Sequence, residues 1–177
     1  MKPRIRLLAD AEFPLLFAHL CRSSDESGRD GDVIFRPRSR HEVMDEVVIG
    51  QRHREGWARP LREPLWLRTW GLIDGTTIVG HVDLTGGRLP AELHRATLGI
   101  GIQRRARGQG HGRALLETVI TWAREHRLAW LDLGVFAQNS RARAVYRAAG
   151  FVEVGTVRDQ FRVDGVSIDD VAMTLAL

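Results

Sequence analysis

Apolar positions change rhythm along the chain. Arg4 to Leu8 alternates polar and apolar residues, the signature of a half-buried strand. Asp10 follows as a cap before a helix predicted over Ala11 to Leu20. Ser23 to Asp32 contains two glycines and no apolar residue, so it reads as a solvated loop and the most mobile segment. A second helix is predicted over Arg40 to His53, where Val43, Val47 and Val48 recur at helical spacing. Pro60 and Pro64 close that region.

From Leu65 the pattern becomes strand-like. Leu65 to Ile73 and Thr76 to Leu84 flank Asp74-Gly75 and predict a hairpin, and His94 to Ile102 predicts another strand. Leu115, Leu116, Val119, Ile120 and Ala123 place one apolar stripe on a helix running from about Gly110 to His126. Leu128 to Phe136 reads as a strand and Ser140 to Ala149 as a short helix stopped by Gly150. Phe151 onward reads as a hairpin turning at Asp164-Gly165. This alternation predicts an α/β architecture in which the strands before and after the long helix lie parallel through a right-handed crossover.

Composition narrows the class. With 177 residues, 44% of them hydrophobic, the chain can bury a core without disulfides or a structural metal, and one domain spanning 1–177 is the expectation. Cys21 is the only cysteine, which excludes an internal disulfide framework and multi-cysteine metal sites and agrees with a reducing compartment. His81 and Asp83 share a strand face, but two ligands are too few, so no metal is expected. The most apolar early stretch, Phe13 to Cys21, is far shorter than a membrane span, so the expected location is the cytoplasm. The net charge is +4, and the arginines come in short groups interleaved with acids. Without a continuous basic stripe or a reading motif, a nucleic-acid partner is not expected.

One segment carries chemistry. Arg107-Gly108-Gln109-Gly110-His111-Gly112 lies between the strand ending at Ile102 and the helix carrying Leu115. Glycines there let the backbone approach a ligand, and the unpaired N–H groups opening the helix point at it with the positive end of the helix dipole behind them. That combination is a phosphate cradle. The competing reading is a tight chain reversal and nothing more. Neither the nucleotide-triphosphatase loop nor the dinucleotide fingerprint matches the spacing.

The Arg-x-x-Gly-x-Gly turn resembles the acetyl-CoA-binding motif of the GNAT superfamily of N-acetyltransferases. Asn139, Ala142, Tyr146 and Gly150-Phe151 are similar to a second block of that family. Val163-Asp164-Gly165 followed by Asp169 or Asp170 and Met173 resembles the tail of its ribosomal-protein and polyamine acetyltransferase-like subgroup. The resemblance spans about Ile78 to Met173. It implies a GNAT fold: a mixed central sheet of about seven strands with about four helices, and splayed central parallel strands forming the acetyl-CoA cleft.

Further expectations follow from the resemblance. Ile100 and Ile102 would bind the pantetheine arm through their backbone, with an N–H nearby serving as oxyanion donor. The amides of Arg107, Gly108, Gln109, Gly110, His111 and Gly112 would hold the pyrophosphate, with Arg107 and Arg113 adding charge. Arg104 and Arg105 are expected to face water. Tyr146, the only tyrosine, would protonate the departing thiolate, and Asn139 would bond the pantetheine. The bland alternatives are a core aromatic and a helix cap. The strand reading His94-Arg95-Ala96-Thr97-Leu98 lacks the family's frequent glutamate, so His94 becomes the first candidate base, against the alternative of a surface histidine, with Glu92 and Asp83 behind it. The implied activity is direct, acetyl-CoA-dependent acetylation of a primary amine on a small molecule or a peptide or protein N-terminus. The alternative is an acyl-CoA-binding sensor that has lost chemistry. Acetyl-CoA and an amine are the expected partners, with no membrane, and a homodimer is an open expectation. Cys21, far from the motifs, is not expected to be a nucleophile.

Overall fold

The computed structural model describes residues 3–177. Strand β1 (Arg4–Leu7) leads through a short 3-10 turn at Asp10–Glu12 into helix α1 (Phe13–Asp25), followed by α2 (Glu46–Ala58). The hairpin of β2 (Leu67–Asp74) and β3 (Thr77–Gly86) precedes β4 (Arg95–Ile102), α3 (His111–Glu125) and β5 (Trp130–Phe136). Helix α4 (Ser140–Ala148) and the hairpin of β6 (Val152–Val163) and β7 (Val166–Ala176) complete the order. The seven strands form one sheet ordered β1-β2-β3-β4-β5-β7-β6. Only β4 and β5 pair in parallel, as the crossover through α3 requires. Seven strands and four α-helices match the expected fold. Among the described residues no helix is long and apolar enough to cross a membrane.

Helix α3 was fully legible. Leu115, Leu116, Val119 and Ala123 are completely buried and Ile120 nearly so, against Val82, Leu84, Leu98, Leu131 and Leu133 of the sheet. Burial of each large aliphatic side chain here contributes about 2 kcal/mol. Trp66 and Trp70 pack against Trp122 on this same face, as packing rather than as an aromatic cage. The last hairpin turns where expected, with Asp164 and Gly165 both at positive φ as a type I′ turn demands.

The first half departs from the periodicity in two places. Helix α1 starts at Phe13 and runs to Asp25, so it consumes part of the predicted loop. Its buried face is Phe13, Leu16, His19, Leu20 and Ser23, and two of those five are polar, so a count of apolar positions ends the helix too early. Helix α2 begins six residues later than predicted, because the Asp45 side chain accepts from the amides of Val47 (2.9 Å) and Val48 (3.1 Å) and caps it there. Val43, Val47 and Val48 are exposed rather than buried. The inward residues are Gly50, His53 and Gly56, so the helix backbone itself lies against Phe13 and Leu67.

The segment between α1 and α2 is tied down rather than free. Arg104 bonds Asp30 and Asp32, and Arg107 bonds Glu26 and Asp32. At its other end, Ser39 and Arg40 bond the Asp164 carboxylate at the tip of the β6–β7 hairpin and hold that carboxyl down at about 2.

Candidate active site

The parallel β4–β5 ladder lasts only three residue pairs, Arg95 with Trp130, Ala96 with Leu131 and Thr97 with Asp132. Arg95 clamps this end through two bonds to the Asp132 carboxylate, 2.8 and 2.6 Å. Beyond it both strands continue unpaired with each other, to Ile102 and Phe136, and a gap opens in the middle of the sheet. The Gln103 amide bonds the Val79 carbonyl (2.9 Å) in register with the β3–β4 ladder. Because backbone groups alternate along a strand, those of Gly99 and Gly101 then face β3, while Ile100 and Ile102 present theirs to the gap. The expectation for Ile100 and Ile102 rests on this alternation.

At the open end of the gap the chain turns into α3. Gly108 (φ +77°) and Gly110 (φ +81°) adopt left-handed conformations that a side chain would strain. The first helical bond runs from the Ala114 amide to the Gly110 carbonyl (3.1 Å), which leaves the amides from Gly108 to Arg113, His111 and Gly112 included, without a backbone acceptor among the described residues. This is a run of donors at the positive end of a 15-residue helix. Gln109 folds its side chain back onto the Arg105 carbonyl (3.0 Å) and supports the turn. The His111 Nε2 is buried with no partner among the described residues.

Two arginines differ from expectation. The Arg107 amide is spent on the Arg104 carbonyl (3.1 Å), and its guanidinium bonds Glu26, Asp32 and the Ile102 carbonyl (2.8 Å). Arg107 therefore fastens the end of β4 to the α1–α2 segment through two carboxylates and the Ile102 carbonyl. Arg113 lies along α3, paired with Glu117 (2.7 Å) and exposed. Arg104 and Arg105 also make protein contacts rather than facing water alone; Arg105 bonds Thr77 and Gln103. The cation at the cradle is one that sequence reasoning missed. Arg141 Nη2 lies 3.2 Å from where a side-chain carbon on Gly108 would stand, and no ion pair engages it among the described residues. Its place on the first turn of α4, in the Asn139 to Phe151 block, was the available signal.

Tyr146 is buried on α4, edge-on to Phe151 at 6.0 Å. Burial alone pushes its phenol up, so it stays protonated near neutral pH. The Asn139 Oδ1 caps α4 by accepting from the Ala142 amide (3.2 Å), which leaves its NH2 group for a ligand.

His94 is not brought to the gap. It is exposed just before β4, where its carbonyl accepts from the Ala129 amide (2.8 Å) at the closed end of the splay. Six residues of strand, about 20 Å, separate it from Ile100. Glu92 is occupied capping its own turn through the amides of Arg88 (2.8 Å) and Leu89 (3.1 Å). Asp83 does reach the site: it pairs with Gly99 on the face opposite α3, and the space above Gly99 is open. On the far side of the gap, Asp170 of β7 leans over Gly134 of β5, with Oδ2 2.5 Å from where a Cβ would be. Burial raises both carboxyls above the usual range. Asp170 belonged to the tail resemblance but no sequence pattern marked it as chemical, since its proximity to Gly134 arises from strand pairing. Cys21 lies partly buried on α1 with its thiol raised by burial.

Behind Asp83 runs a buried chain of polar groups. Arg105 donates to the Gln103 Oε1 (3.2 Å), so the Gln103 NH2 group faces the His19 Nδ1 (3.0 Å) and the Ile78 carbonyl (3.1 Å). His19 then carries its proton on Nε2 and donates to the His81 Nδ1 (2.7 Å), which leaves the His81 Nε2–H aimed toward Asp83, 3.8 Å away. Burial keeps both rings neutral: His19 falls to about 3, and His81 well below its ordinary value.

Comparison with known proteins agrees with this geometry. The N-alpha-acetyltransferase RimI of Mycobacterium tuberculosis (strain ATCC 25618 / H37Rv) is 35% identical over 99 residues, covering 54% of this chain and 58% of that protein. The alignment thus spans somewhat more than half the relative's length. A ribosomal-protein-alanine N-acetyltransferase from Brucella melitensis superposes with a TM-score of 0.77 at 24% identity, over 98% of this chain and 99% of that one. A GNAT superfamily phosphinothricin acetyltransferase from Sinorhizobium meliloti, solved with AcCoA, superposes with a TM-score of 0.79 at 17% identity, over 100% and 89%. The sequence model of the Acetyltransferase (GNAT) family matches residues 35–151, about two thirds of the chain, over the gap, the glycine turn and the Tyr146 helix, and the chain belongs to that family.

Proposed function

We propose that this protein is an acetyl-CoA-dependent N-acetyltransferase that passes the acetyl group directly to a primary amine. The observation that carries the reading is the opened β4–β5 gap with free α3 amides at its mouth and unpaired Ile100 backbone along its wall. The cradle fits a diphosphate and the strand edge fits an amide-bearing arm. The similarity to RimI supports an amino-group acceptor.

Each residue then has a task. The α3 amides and Arg141 hold the phosphates, and Ile100 and the Asn139 NH2 align the arm. The Ile100 N–H faces the thioester oxygen as negative charge develops there. Asp170, standing over the β5 backbone that lines the gap, takes the proton lost by the attacking nitrogen, and its raised pKa brings it closer to that of an amine. As the carbon–sulfur bond breaks, Tyr146 protonates the leaving thiolate and regains its proton from solvent. Asp83 faces the acceptor from the β3 side and favours a cationic nitrogen. The sensor alternative arose from the strand that lacks a glutamate, and Asp170 supplies a carboxylate from a different strand.

The test combines calorimetry with acetyl-CoA and detection of free thiol across amines, amino acids and peptide N-termini. Binding heat together with amine-dependent thiol release is expected, and Tyr146→Phe should slow release by about 100-fold while leaving the heat in place. Absence of binding heat would overturn the reading.

A further inference from the structure

The sheet face opposite α3 carries a guanidinium that no carboxylate pairs among the described residues. Arg36 donates to the Ser23 Oγ (3.3 Å) and makes no ion pair with a carboxylate among the described residues. Arg95 is matched by Asp132, Arg104 by Asp30 and Asp32, Arg107 by Glu26 and Asp32, and Arg143 by Glu153, whereas Arg141, like Arg36, has no ion pair among the described residues but lies at the glycine turn rather than over β4. Arg36 is held over β4 at Gly101, where an added Cβ would lie 2.9 Å from its Nη2 and 2.7 Å from the His81 ring. Its position is built rather than incidental. The amides of Phe35 and Arg36 both bond the Ser27 Oγ (3.0 and 3.2 Å), and Phe35 packs under the Arg107 guanidinium. Ile34 packs against the Phe136 cluster, so residues 34–36 cross the open end of the gap from β5 to β4.

Withdrawing a guanidinium from water without an anion is costly, and burial does weaken this one's hold on its proton. The nearest rings, His81 and His19, are neutral, and the one negative group that acts on Arg36 is Asp83, which makes no ion pair or hydrogen bond with it. The one carboxylate on this stretch of the face, Asp83, lies beside Gly99, two residues along β4 from Gly101, or about 6.6 Å. The carboxylate and the guanidinium thus stand over two neighbouring outward positions of β4, an arrangement that suits an ammonium and a carboxylate a few bonds apart on one molecule. Arg36 keeps some exposure, so a ligand can reach it.

We propose that Arg36 receives a carboxylate of the acceptor, so that the preferred substrate is a primary amine bearing a carboxylate a few bonds from its nitrogen. This rests on the acetyltransferase reading and narrows its substrate class. Free α-amino acids and peptides with an acidic residue next to the N-terminus share that chemistry.

The test measures kcat/KM with full-length protein for four acceptors: a free α-amino acid, its amide, a peptide amide with aspartate second, and the same peptide with asparagine second. The wild type should favour each carboxylate-bearing acceptor over its neutral partner by about 10- to 100-fold. The pair showing the larger ratio identifies whether an α- or a side-chain carboxylate is read. Arg36→Gln should bring that ratio close to one, mainly through KM. Equal use of charged and neutral acceptors by the wild type overturns the proposal even if the variant fails to fold. A ratio unchanged in a folded Arg36→Gln also overturns it. Thiol release from no acceptor at all, despite acetyl-CoA binding, would instead overturn the transferase reading beneath it.

Discussion

The Asp170 carboxylate stands directly over the Cα of Gly134, on the strand adjacent to its own, in space that any side chain at 134 would need. The two residues are 36 positions apart in the chain. Their proximity puts a carboxylate on the lip of the sheet opening, where β4 has no acid and the one acid of β5, Asp132, is held by Arg95 at the closed end.

Gly134→Ala should therefore act on the chemistry. An added methyl 2.5 Å from Asp170 Oδ2 must push the carboxylate aside, which costs about 1–3 kcal/mol of strain or relocates the side chain. The expected outcome is a kcat lowered at least about tenfold with acetyl-CoA affinity preserved. Steady-state kinetics beside calorimetry separates the two, and a kcat equal to that of the parent would remove Asp170 from the reaction.

Asp170 also makes opposing demands on stability and rate. Its folded pKa is raised, so the folded state bears a penalised charge as pH rises above the unfolded carboxyl value near 3.9. Asp170→Asn should then melt higher than the parent above about pH 4, with the advantage vanishing below it. The same variant should lose the acid limb of the kcat/KM profile, the limb on which activity climbs as the base deprotonates. Thermal melts and rate profiles across pH check both halves.

The phosphate cradle gives a paired prediction within three residues. Gly110 holds φ +81° with open space around it, whereas a Cβ at Gly112 would make only ordinary contacts of 3.6 and 3.8 Å. Gly110→Asp combines an unfavourable backbone, about 1–2 kcal/mol, with a negative charge facing a diphosphate, and should abolish measurable acetyl-CoA binding. Gly112→Ala should fold normally and bind within about tenfold of the parent, since its methyl meets no obstacle but narrows the approach. Calorimetry on both variants decides, and a Gly110→Asp protein that still binds would place the diphosphate elsewhere.

Acid should weaken this fold earlier than carboxylates alone would dictate. His19 and His81 are neutral in the folded protein, His19 down to about 3, while in the unfolded chain they take up protons near 6.5. The unfolded state then binds more protons, so stability falls as pH drops from about 6.5 toward 3. Denaturant melts should show this slope, and His19→Gln, which keeps a donor toward His81, should flatten it. An equally steep slope in the variant would mean that other groups govern the acid limb.

Local chemistry, by itself, settled much of this protein. The apolar stripe from Leu115 to Ala123, the Asp-Gly turns, and the glycines that open α3 each act over a few residues, so a single stretch of sequence was enough to place them, and with them the family. What only the tertiary structure decided concerns partners distant in sequence. Arg107 was drawn to Glu26 and Asp32 because a segment some 80 residues away folds back onto it. His94 went to the closed end of the gap because the short β4–β5 ladder begins beside it, and helix α1 outran its apolar pattern because buried His19 finds His81 on β3 and buried Ser23 finds Arg36 of the following segment. Asp170 was brought over Gly134 by strand pairing, and Arg36 over Gly101 by the crossing of the segment before α2. Such placements depend on long-range register, and register is an outcome of packing the whole sheet, which no local pattern encodes.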